Sequence, residues 1–203
     1  MFSQFCCTSL WFAGNGVMAD LISTFNLNES ALGHLTSAVQ FGFISGTLVF
    51  TLLTISDRFS PSIVFFFCAL IAALFNLGTI LENNSFFSLF ILKYSTGFFL
   101  AGIYPVGMKI AADYYDKGLG KSLGLLVGAL VVGTAFPHLL KGYSFGFSWQ
   151  YVIVFISFLA IIGGLLMLSF VPNGPYRKAS QKLKLNAWLK NFKDTKFRSA
   201  AFG

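Results

Sequence analysis

The sequence predicts an all-α polytopic membrane protein, a bundle of six transmembrane helices. Three observations lead there. Of 203 residues, 56% are hydrophobic and only 10% are charged, against about 25% charged in an ordinary soluble domain. The apolar residues form long continuous runs, each able to cross roughly 30 Å of hydrocarbon at about 1.5 Å per residue. The runs do not alternate apolar with polar side chains, which excludes a β-barrel.

The expected spans are residues 3–24, 31–55, 61–81, 86–112, 120–140 and 148–171. The first lacks a basic leader region and contains Asn15 and Asp20, so it reads as a retained helix. Ser30 is placed to cap the second. A tight turn leads to the third, with Ser60 as cap and Pro61 at the first helical position. Residues 82–85 turn into the fourth span, and 113–120 join the fourth to the fifth. On the fifth, Gly120, Gly124 and Gly128 recur every fourth residue, a packing face that lets a neighbouring helix approach closely. Gly42 and Gly46 do the same on the second. Pro172, Gly174 and Pro175 stop the sixth.

The charge divides the chain into two parts. Residues 1–171, the bundle, carry six basic and six acidic side chains; residues 172–203 carry eight basic and one acidic, the whole net charge of +7. A basic tail after a membrane helix is a topology signal and not a nucleic-acid site. Arg58, Lys109, Lys117 and Lys121 lie on the side of the tail, and Lys141 stands on the other. The N-terminus and tail are therefore expected in the cytoplasm, with the protein multi-pass in the cell membrane. Within 172–203, Leu185, Trp188, Leu189 and Phe192 have helical spacing. They fit a short amphipathic helix on the inner membrane surface, or a charged linker that is only partly helical. Residues 199–203 read as the start of a seventh helix.

Lys93 interrupts an apolar run, and an intramembrane ionisable group is a functional candidate because its burial is expensive. Asp20 precedes the outer end of the first span by about four residues, and Lys93 follows the outer start of the fourth by about seven. At similar depth they form an ion pair if the spans are neighbours, and protonating Asp20 would weaken it, the basis of a proton-coupled switch. Alternatively both snorkel to the headgroups. Asn15, Gln40, Tyr94 and Tyr104 either line a solute cavity or hydrogen-bond between helices. His34 and His138 read as interfacial. Cys6, Cys7 and Cys68 lie in apolar runs without metal-ligand spacing, so no metal or cofactor is expected. No nucleophile has a base and no phosphate loop exists, so the chain does not read as an enzyme.

Asp57-Arg58 in the turn between spans two and three resembles the signature loop of the major facilitator superfamily, although Leu53, Ser60 and Pro61 stand where that pattern has glycines and a basic residue. In the fourth span, Lys93, Gly97, Gly102 and Pro105 resemble the family's basic-x-x-x-G…G-x-x-P pattern, with lysine for arginine. Trp149-Gln150-Tyr151 and the segment Pro172 to Arg177 resemble the boundaries of the sixth helix. The resemblance implies that Asp57, Arg58 and Asp113 form a cytoplasmic gate, and that Gly97, Gly102 and Pro105 let the fourth helix bend and pack. An acid in helix one with a base in helix four is similar to proton-coupled symporters. The fifth span has Ala129 after Gly128, which departs from the drug/proton antiporter element.

The resemblance implies the N-terminal half, a 3+3 inverted repeat, of a secondary transporter for a small polar or anionic solute, coupled to protons by alternating access. Its partners are then the lipid bilayer, the solute, protons, and a C-terminal six-helix bundle or a second copy. The chain reads as a truncated or split half. The alternatives are a non-transporting membrane scaffold or assembly partner, and a drug-type antiporter half.

Overall fold

The computed structural model describes residues 1–28, 30–143 and 148–177. The amphipathic helix and the seventh-helix start expected within 178–203 lie outside the described residues. The chain is helical, with no strand among the described residues. Ala31–Leu52, Pro61–Gly78, Phe86–Tyr114, Leu119–Gly142 and Trp149–Phe170 are long and apolar enough to cross a bilayer. The pair Phe2–Gly16 and Met18–Thr24, bent by 49°, makes a sixth span when taken as one element. These are the six spans the hydropathy predicts.

Two of them are broken. The first consists of α1 (Phe2–Thr8), a 3-10 turn (Ser9–Phe12), α2 (Ala13–Gly16) and α3 (Met18–Thr24). Its interruption has local causes. The hydroxyl of Thr8 donates to the Gln4 carbonyl at 2.8 Å and that of Ser9 to the Cys6 carbonyl at 2.6 Å. Such back-bonding competes with the helical ladder, and Gly14 and Gly16 then weaken the next turn. The second and third spans are α4 (Ala31–Leu52) and α6 (Pro61–Gly78), joined through the short α5 (Ile55–Arg58). The fourth divides into α7 (Phe86–Leu100) and α8 (Tyr104–Tyr114). Pro105 lies in the first turn of α8 and has no N–H to continue the ladder from α7. The fifth and sixth are α9 (Leu119–Tyr143) and α10 (Trp149–Phe170).

Helix starts follow the sequence only in part. Ser85 caps α7 in a reciprocal box with Ser88. Ser30 and Ser60 occupy their N-cap positions but turn their hydroxyls elsewhere, to Asn28 Oδ1 at 2.8 Å and Asn173 Oδ1 at 2.9 Å. The turn before α9 places Gly118 at φ 76°, a conformation glycine adopts without a Cβ penalty.

Lipid supplies no hydrophobic pull between helices, so close backbone packing must hold the bundle. Spans two and four meet backbone to backbone: Gly42 lies on the Tyr94 carbonyl, Gly46 on that of Phe98, and Gly97 on that of Val39. Gly102 fits against Cys68 and Phe50, drawing span four onto span three. Span one meets span six where Gly163 faces Cys6 and the Cys7 thiol donates to the Ala160 carbonyl at 3.4 Å. It meets span five where Gly133 faces Thr8 and Phe5. Phe65, Leu10, Leu100 and Ile156 are fully buried between these contacts.

The glycine face expected on span five meets no neighbour among the described residues. A Cβ at Gly120, Gly124 or Gly128 would meet nothing within 4 Å. The helix turns to this bundle through Gly133, about 140° around its axis from Gly128, so the face at Gly124 and Gly128 stays open among the described residues.

Candidate functional site

Lys93 is 3% exposed, inside the bundle. Gly14 makes room for it: a Cβ there would stand 2.6 Å from Nζ. Nζ donates to Asn76 Oδ1 at 3.3 Å. Asn76 Nδ2 donates to Ser157 Oγ at 2.9 Å, and the Thr79 hydroxyl donates to the Asn76 carbonyl at 2.6 Å. Spans four, three and six are thus joined by a polar chain whose members Asn76 and Ser157 are fully buried. Sequence reasoning missed both. The available signal was an asparagine in the apolar third span, which hydrocarbon tolerates only when it has a partner.

Asp20 does not pair with Lys93. Its Oδ2 lies 2.7 Å from Lys141 Nζ, at the end of span five. The depth argument assumed a straight first helix; the span instead bends by 49° after Gly16, and Asp20 on α3 meets Lys141. Gly16 lies beside Pro137 of that span. Lys141 was recognised only as a topology marker.

The other candidates disperse. Asn15, next to Gly14, donates to Thr36 Oγ1 at 3.0 Å and ties span one to span two. Tyr94 shares a 2.7 Å hydrogen bond with Ser45, also between neighbouring spans. Tyr104 is half-buried at the start of α8, and Gln40 is exposed on α4, away from Lys93. Asn15 adjoins Gly14, which lies on Lys93, and Tyr94, next to Lys93 in the chain, turns its hydroxyl to Ser45.

At the basic end, Asp57 pairs with Lys109 at 2.6 Å. No ion pair joins Arg58 to Asp113 among the described residues, and Arg58 is exposed. Thr54, at φ 50°, redirects the chain into α5 and sends Asp57 toward Lys109. Asp113 is 7% exposed, and its Oδ2 accepts no hydrogen bond from a described residue. The segment 171–177 covers it: Gly174 lies on the Asp113 carbonyl, which accepts from Tyr176 N at 3.0 Å. Arg177 donates to the carbonyls of Asp57 at 3.2 Å and Phe59 at 2.8 Å, and Tyr114 Oη donates to the Pro172 carbonyl at 2.6 Å. The turn between spans two and three is therefore clasped by Lys109 and Arg177, not by Arg58 and Asp113.

A hinged first span, a lysine inside the bundle and a clasped turn between spans two and three are thus held in one polytopic membrane scaffold. The family model of the Major Facilitator Superfamily matches residues 1–202. No curated protein matches the chain. The extent of that match, together with the six apolar spans, shows that the chain belongs to the Major Facilitator Superfamily of membrane transporters.

Proposed function

We propose that the chain forms one six-helix bundle of a secondary transporter, moving a small polar or anionic solute together with protons by alternating access. The observation that carries this is Lys93, an amine 3% exposed in a membrane bundle and held by a neutral amide. A charge retained at such cost is a functional candidate. Asp20 is the proposed proton acceptor. Protonation would cancel its charge, weaken its hold on Lys141 and free the bent outer part of span one. The solute path runs past Asn15 and Lys93, where the first span is broken. The clasp of Asp57, Lys109 and Arg177 marks the cytoplasmic gate, following the expected topology. A second six-helix bundle, or a second copy, forms the other wall.

The test is solute-driven acidification. The gene's full product is reconstituted in liposomes loaded with a pH-sensitive dye, and small carboxylates, phosphate and polyols are added outside. Lumenal acidification on addition of a solute is expected. Solute uptake with no proton movement would remove the coupling, and no uptake of any solute would remove the transport reading for this panel.

The open glycine face of span five favours a second reading, assembly with another membrane helix through Gly124 and Gly128. Its mark is a defined oligomer mass in detergent that Gly124→Leu abolishes, without solute uptake.

A further inference from the structure

We infer that Lys93 is the docking point for the negative group of the solute, a small oxyanion of the carboxylate or phosphate class, admitted where the first span breaks between Gly14 and Val17. The inference rests on the transport reading and names the substrate class of that centre. An ammonium has three donors. Here one reaches Asn76 Oδ1 at 3.3 Å, long for a bond to a charged donor, for which about 2.7–2.9 Å is usual. No carboxylate pairs with Lys93 among the described residues. Asp20 is engaged by Lys141 and Asp57 by Lys109, and Asp113 lies under the 171–177 segment at the basic end.

Asn76 has no spare flexibility to compensate, because its amide nitrogen is committed to Ser157 at 2.9 Å. The centre therefore holds an amine with donor positions to spare, an oriented neutral dipole and no anion among the described residues. An arriving oxyanion completes it. The approach is built for backbone, not for side chains: Gly14 lies directly on the lysine stem, and Val17, at φ −120° and ψ 18°, lies outside the helical ladder of α2 and α3. Access to Lys93 requires that α2, which carries Gly14, shift off the lysine.

The experiment is thermal unfolding of the purified full chain in detergent, with sodium lactate, sodium phosphate or the neutral analogue lactamide at matched ionic strength. A saturable rise of the midpoint with lactate or phosphate, absent with lactamide, is expected, and which anion produces it identifies the source. Lys93→Gln should weaken the response at least about tenfold, the loss expected when a hydrogen bond to a charged group is removed. Asn76→Asp installs a resident carboxylate, so it should raise the midpoint without ligand and remove the response. A response that survives Lys93→Gln would assign anion binding to the basic tail and overturn the inference, as would no saturable response in the unaltered chain. If proteoliposomes still show solute-driven acidification in that case, the transport reading stands and only the anion site falls.

Discussion

Asp20 and Lys141 hold each other at 2.7 Å across the gap between the bent end of span one and the end of span five. The pair spans the hinge: Asp20 lies beyond the break at Val17, and Gly16, just before it, lies against Pro137 of the same partner helix. Span five therefore touches both sides of the bend, once through backbone and once through charge. Because each side chain is about a third exposed, the pair holds the two sides of the bend together only weakly.

A double-mutant cycle tests that estimate. Asp20→Asn, Lys141→Gln and the double variant should give a coupling of about 0.2–1 kcal/mol in detergent unfolding, and the charge swap Asp20→Lys with Lys141→Asp should recover most of it. Zero coupling with no recovery by the swap would mean the two charges act separately.

The glycines divide into two kinds with opposite expected outcomes. Gly97→Ala pushes a methyl into the Val39 carbonyl and should cost about 1–3 kcal/mol, as overpacking does. Gly124→Ala meets nothing within 4 Å and should be neutral, or stabilising by up to about 1 kcal/mol through helix propensity. Thermal unfolding of the two single variants checks the contrast; equal effects would contradict the packing described.

The Gln4 side chain is fully buried, and neither amide atom bonds to a described residue. Gln4→Leu removes the unsatisfied pair and should raise stability by about 1–3 kcal/mol. Destabilisation by a similar amount would show that a bound water or ion satisfies the amide.

Arg177→Ala removes the two donors that fasten the segment after span six to the carbonyls of Asp57 and Phe59. Amide exchange in α5 and at Tyr176 should accelerate about tenfold, the factor of a lost hydrogen bond of roughly 1.4 kcal/mol. Unchanged exchange would leave the clasp to Lys109 alone.

The spans were legible because lipid demands long uninterrupted apolar runs, and nothing else in the chain imitates them. Gly42, Gly46 and Gly97 were legible as packing positions, but not that spans two and four meet through them. Nor were side-chain partners legible. Equal depth suggested Lys93 for Asp20, but the first span is bent by 49° and Asp20 meets Lys141, and no periodicity encodes that bend. Ser9, Gly14 and Gly16 carry its chemistry, yet similar residues occur in straight helices. Asn76 left a signal, a lone amide in an apolar span, but its partner Ser157 left none, and only the packing of spans three and six makes them a pair. At the basic end, the resemblance groups Asp57 with Arg58 and Asp113, whereas the described ion pair joins Asp57 to Lys109.

The most direct test of the account is the proton signal in Asp20→Asn. Proteoliposomes of the gene's full product, loaded with a pH dye, should acidify when a transported solute is added. In Asp20→Asn the acidification should vanish, while binding measured by unfolding is retained. Acidification unchanged by the substitution would contradict the account, because the proton would then travel without Asp20.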